Sequence, residues 1–276
     1  MRALVLVAVV LLAACGAPPR PPQATQADRL NAAGSDALAA GRPRAAAARF
    51  SAAADASRSV DDGAGLSRDL HNRGMALLAA GETEAAVADL SESARLAETA
   101  GTDPHDRART NLALTTALVQ LGRLDAAAEA VSVAMLAADA DGDSSLRARA
   151  RSTRAAIALR RGDLDAAQAD LDAALPMCGS DDGALGAVVV NRGHLRNLRG
   201  EATQALVDYE LAADAFRKAA DQAGIAAALE GAARSCEASG DRTGAAQRWR
   251  RAALVPSGGE PARQRRLAEA ARLTDR

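Results

Sequence analysis

Six glycines, Gly41, Gly81, Gly122, Gly162, Gly200 and Gly240, recur at intervals of 40, 41, 40, 38 and 40 residues along a chain of 276. A period of this size marks stacked supersecondary units, each burying its apolar face on its neighbours, and argues against a single closed core. Other offsets repeat with the glycines. Five residues after each comes Ala46, Ala86, Ala127, Ala167, Ala205 or Ala245, and nine after comes Phe50, Leu90, Val131, Leu171, Tyr209 or Trp249. Twelve after stands Ala53, Ser93, Ala134, Ala174, Ala212 or Ala252, and seven before stands Gly34, Gly74, Thr115, Ala155, Gly193 or Ala233. The spacing predicts two antiparallel helices per unit. The glycine ends the first helix in a tight turn, small residues let the two helices approach, and the large residue fills the gap to the next unit. A glycine inside a helix costs about 1 kcal/mol against alanine, so Gly34, Gly74 and Gly193 imply a packing reason.

Composition agrees with helices. Hydrophobic residues make up 49% of the chain but aromatics only 1%, and the β-branched and aromatic side chains that strands favour are scarce beside alanine. Between units lie Asp61-Asp62-Gly63, Gly101-Thr102-Asp103-Pro104, Asp141-Gly142-Asp143 and Asp181-Asp182-Gly183, all turn chemistry. The pattern of small residue, turn glycine, alanine, large residue and small residue resembles the tetratricopeptide repeat. The period near 40 resembles its longer class, found in kinesin light chains and in many bacterial regulatory proteins. The resemblance covers residues 27–255. It implies an all-α, right-handed superhelical solenoid of six helix-turn-helix repeats. Residues 256–276 are expected to form a linker and a capping helix, since stacked repeats need a polar end.

The amino terminus reads as an address. Met1-Arg2 precedes an uncharged run from Ala3 to Ala14, too short to span a bilayer and fitting a secretory signal over residues 1–14. Leu12-Ala13-Ala14-Cys15-Gly16 resembles the lipobox of bacterial lipoproteins. That resemblance implies a diacylglyceryl thioether on Cys15 and an acylated terminal amine, more than one chain and therefore a stable membrane anchor. Gly16 stands where an aspartate would commonly retain the protein in the inner membrane. The expected location is the periplasmic face of the outer membrane in a two-membrane cell, and otherwise the outer face of the cytoplasmic membrane. Residues 15–26, proline-rich at Pro18, Pro19, Pro21 and Pro22, are expected to be a stiff tether. Cys178 and Cys236 fall in unrelated registers and are expected to be unpaired.

Catalytic signatures are missing. The chain has no H-E-x-x-H, C-x-x-C or G-x-S-x-G, and its one lysine, Lys218, follows no glycine-rich phosphate loop. Asp139, Asp141, Gly142 and Asp143 imitate half a calcium loop, but Ala137 and Ala148 occupy its first and last ligand positions. No enzyme activity, metal, cofactor or small-molecule substrate is expected. A net charge of −1 provides no field for nucleic acid, so no nucleic-acid partner is expected either. What remains is a groove. In the repeats that this chain resembles, positions thirteen, ten, nine and six before the turn glycine face inward. They hold Arg68, Arg109 and Arg149, His71, Asn72 and Asn191, Met75 and His194. The second and fifth repeats share Asn-Arg-Gly, at Asn72-Arg73-Gly74 and Asn191-Arg192-Gly193. In the long-repeat class, asparagine at this place holds the backbone of an extended peptide, and an amide has both a donor and an acceptor for that task. The function so implied is a membrane-tethered interaction scaffold or assembly factor of the cell envelope that binds a peptide or protein partner. An adaptor or regulatory subunit of an envelope enzyme such as a peptidoglycan hydrolase would carry the same features.

Overall fold

The computed structural model describes residues 22–274, and among them all regular structure is helical. Six helix pairs follow one another: α1 (Pro22–Ala39) with α2 (Pro43–Arg58), α3 (Gly63–Ala80) with α4 (Thr83–Thr99), α5 (Pro104–Gln120) with α6 (Leu124–Asp141), α7 (Ser144–Arg161) with α8 (Leu164–Ala174), α9 (Asp182–Leu198) with α10 (Ala202–Lys218), and α11 (Gln222–Ala238) with α12 (Arg242–Leu254). A thirteenth helix, α13 (Gly259–Thr274), closes the stack. Each turn glycine has a positive φ, from 70° at Gly41 to 84° at Gly240. The residue after it returns its N–H to the carbonyl four before it, as Glu82 does to Leu77 at 2.9 Å. This closure satisfies the last carbonyls of the first helix and reverses the chain. The next unit starts from an aspartate nineteen residues before its glycine. Asp62, Asp103, Asp143, Asp181 and Asp221 each accept a backbone N–H from the first turn of the helix they precede.

Packing follows the same register. The alanines five after the glycines and the small residues twelve after them are all fully buried. The large residue nine after the glycine packs first on its own repeat: a Cβ at Gly34 would lie 2.5 Å from the Phe50 ring, and one at Gly74 would lie 2.7 Å from Leu90. Tyr209 does this and also fills the gap to the next repeat, as expected. Its ring lies over Gly193 of α9 and over Gly231 of α11. Apolar clusters therefore form a row along the stack rather than one centre. Each first helix also touches the first helix of the next repeat, whereas second helices do not pack comparably on one another. The stack therefore curves with the first helices on its inside.

At the ends, α1 begins at Pro22 and so takes in five residues expected to belong to the tether of residues 15–26. The earlier tether residues and Cys15 lie outside the described ones. Helix α8 is short because Leu175-Pro176-Met177 turns into a 3-10 segment; the ring of Pro176 cannot continue an α-helix. Helix α13 lays Ala270 and Leu273 on the cluster around Trp249 and Cys236. Its Arg266, 4% exposed, donates to Glu230 at 2.7 Å and to the Ser257 carbonyl at 2.9 Å. Cys178 and Cys236 are buried and free. No described helix is long and apolar enough to cross a membrane.

Candidate functional site

The inner face is built from positions thirteen, nine and six before each turn glycine. Arg68, Arg109 and Met75 are exposed there, and Arg149, Asn72, Asn191 and His194 are partly exposed. Position ten departs from the expectation. His71, at 9% exposure, lies between α3 and α5, where Nδ1 meets the Thr110 hydroxyl at 3.2 Å. The reason is geometric: with first helices packed side by side, position ten points along the stack at the neighbouring helix. Burial, and secondly the Arg109 guanidinium, push the His71 pKa down to about 4, so the ring is neutral at physiological pH.

Arg68, His71, Asn72, Asp106, Arg109 and Thr110 surround one hollow of about 50 Å³ between α3 and α5. The structure thus brings four of the sequence-derived residues together in the second and third repeats. It does not leave the arginines free. Arg68 pairs with Asp28 at 3.1 Å, Arg109 with Asp106 at 3.7 Å, and Arg149 with Asp181 at 3.2 Å.

The asparagines are held as well as presented. Asn72 Nδ2 donates to Asn31 Oδ1 at 3.0 Å, and Asn31 in turn donates to Asp69 Oδ1 at 2.5 Å. Asp69 is fully buried, and its other oxygen takes a hydrogen bond from Ser57 at 2.6 Å. Asn191 Nδ2 donates to both the carbonyl and the hydroxyl of Ser152, each at 3.0 Å. Both asparagines therefore tie their helix to the preceding first helix, and each retains an Oδ1 with no partner among the described residues.

No family model matches the sequence, and no curated protein matches it by sequence. Solved structures do match. A Rap protein complexed with competence and sporulation factor is 12% identical at a TM-score of 0.65, covering 92% of this chain and 74% of that one. The Rap conjugation gene regulator of plasmid pLS20, in complex with the Phr* peptide, is 13% identical at 0.60, covering 89% and 73%. The Cut9–Hcn1 assembly of the APC/C is 16% identical at 0.61, covering 91% of this chain and 44% of that one. The fold is a tetratricopeptide-like solenoid.

In this tetratricopeptide-like frame the middle residue of Asn-Arg-Gly has a role that the sequence reading missed. Arg192 lies eight before its glycine and Asp208 eight after, and they form a two-pronged ion pair at 3.1 and 2.7 Å. Arg73 with Asp89 and Arg154 with Asp170 repeat the arrangement. An arginine and an aspartate sixteen residues apart, centred on the turn, is the signal that marks it. A second omission lies on the inner face. His194 meets the Tyr209 ring at a tilt, with centroids 5.5 Å apart, and its pKa is pushed down to about 4 by burial first, then by Arg234 and Arg160. Arg160 is exposed and has no ion pair among the described residues; Arg234 lies 5.6 Å over the Trp249 ring. Arg234 shares the offset of Met75 and His194, and that offset would have identified it.

Proposed function

We propose that this protein is a membrane-tethered interaction scaffold of the bacterial cell envelope that receives an extended peptide segment of a partner on its inner face. The observation that carries the reading is the pair of held asparagines. Asn72 and Asn191 are each fixed through Nδ2 and keep Oδ1 open toward the inner face. A fixed acceptor loses little freedom when a peptide N–H reaches it, which is how preorganisation adds affinity. At Asn191 the clamp is narrower than the amide chemistry allowed at the level of sequence, because Nδ2 already donates to two acceptors on Ser152, whereas Asn72 Nδ2 makes one such bond. Arg160 and Arg234, on either side of a neutral His194, add a cationic rim in the later repeats, suited to acidic side chains on the partner. Mechanism is recognition, with no group-transfer step. The likeness to the Rap conjugation gene regulator in complex with the Phr* peptide supports the reading as analogy of fold.

Partners captured from the native envelope provide the titrant. Asn72→Ala or Asn191→Ala should weaken that partner by about tenfold, the equivalent of about 1.4 kcal/mol. Circular dichroism at the assay temperature must show both variants folded. Wild-type affinity in both would remove the inner face from consideration. The lipid anchor is proposed from residues 1–15 and is tested separately: Cys15→Ser should move the protein from the membrane fraction to the soluble one, and retention in the membrane would refute it.

A further inference from the structure

The half calcium loop of the sequence gains a ligand from outside its own segment. His105 on α5, Asp141 at the end of α6 and Asp143 at the turn into α7 each bring one ligand atom to within 4.8 Å of the others. His105 Nδ1 stands 3.4 Å from Asp141 Oδ2. That is long for a hydrogen bond, for which about 2.9 Å is usual. It is close to the edge of a tetrahedron whose corners lie about 2.05 Å from a zinc ion, an edge of roughly 3.3 Å. Asp143 is braced from behind: its Oδ1 accepts the Ser145 N–H at 2.8 Å and the Ser145 hydroxyl at 2.9 Å, leaving Oδ2 as the open ligand atom. Hydrogen-bonded carboxylates of this kind are the normal support of metal ligands.

We propose that His105, Asp141 and Asp143 form a binding site for one divalent transition-metal ion. The donor set selects the class. Calcium and magnesium take oxygen ligands, so an imidazole at 3.4 Å from a carboxylate argues for zinc or another imidazole-binding transition metal instead. Two carboxylates balance the double charge of the ion, and water completes the shell. Two of the ligands come from α5 and α6 and the third from the turn into α7, so that two repeats contribute. A bound ion ties the start of α5 to the junction of α6 with α7, and so fixes the angle between the third and fourth repeats on which the curve of the inner face depends.

Zinc chloride titrated into the chelator-treated full chain, followed by calorimetry, tests the proposal. One zinc per chain is expected. His105→Ala and Asp141→Asn should each weaken binding at least tenfold. Asp143 is left unchanged because it caps α7. Asp139→Asn removes the same charge from the same acidic stretch without removing a ligand and should bind as wild type does. Zinc at a hundredfold excess over its Kd should raise the melting midpoint of the wild type by about 5 °C and leave that of His105→Ala unmoved. No saturable zinc binding, or wild-type affinity in His105→Ala, overturns the site. So does an equal loss in Asp139→Asn, which would mean diffuse attraction by acidic groups. Calcium binding in place of zinc overturns the choice of ion.

Discussion

Burial keeps His71 neutral, and this makes the junction of the second and third repeats sensitive to acid. The ring contacts Thr110, faces Arg109 and Arg68 across the hollow, and has Asp106 as the nearby carboxylate. Its pKa falls from 6.5 to about 4, so above pH 6.5 neither folded nor unfolded chain carries the proton. As pH falls from 6.5 toward 4, the unfolded chain binds a proton that the folded one refuses, and stability drops by up to about 3 kcal/mol. His194 acts in the same direction. His71→Gln keeps a polar group beside Thr110 and removes the titration. Thermal melts at pH 7, 5.5 and 4.5 should therefore show a shallower loss of midpoint for the variant than for wild type. Parallel curves would mean that His71 is not the group responsible. At this scale the sequence was informative about which residues recur and silent about what they touch. The position of Asn72 could be read from its offset. Its bond to Asn31 could not, because the two lie 41 residues apart and meet only through the angle between α1 and α3. His105 and Asp141 escaped for the same reason, being 36 residues apart.

Within a helix pair, much more was legible, since the partner of each residue lies a fixed distance along the chain. The small residue seven before the glycine and the large one nine after it are sixteen apart and meet face to face, as Gly193 and Tyr209 do. The arginine–aspartate pair eight before and eight after obeys the same geometry, on the adjacent face of the pair. Tyr209 is the strictest case. It is fully buried, its hydroxyl accepts a hydrogen bond from Asn197 at 3.3 Å, and its ring has a glycine from two successive first helices against it. A methyl at Gly231 would fall within the ring's envelope. Gly231→Ala should therefore lower stability by about 1–3 kcal/mol from overpacking, although alanine is the better helix former by about 1 kcal/mol. Tyr209→Leu should relieve the clash, because leucine already serves at that offset as Leu90 and Leu171. Chemical denaturation of the two single variants and the double variant would show a coupling of opposite sign to the single losses. Simple additivity would mean that ring and glycine are not in contact.

Across the whole chain the repeats form a one-dimensional stack in which each unit is stabilised mainly by its neighbours. The curve of that stack, and hence an inner face, arises from contact between first helices, which no single repeat encodes. The two ends differ, since the amino-terminal anchor is a proposal that rests on residues outside the described ones while the carboxy-terminal helix has a visible packing role. Helix α13 covers Trp249, Ala246 and Cys236 with Ala270 and Leu273, and joins the sixth repeat through Arg266–Glu230 and Arg272–Glu237. Deleting residues 259–276 uncovers that apolar surface and leaves Glu230 and Glu237 without those cations. The local loss is about 3 kcal/mol, on the scale of uncovering one large apolar side chain. Because coupling runs through neighbours only, the loss should fade along the stack. Hydrogen exchange should show protection falling in α11 and α12, falling less in α9 and α10, and unchanged in α3 to α6. A uniform fall across all helices would show instead that the six repeats open as one cooperative unit, in which case the capping helix stabilises the inner face at its far end as well as its own repeat.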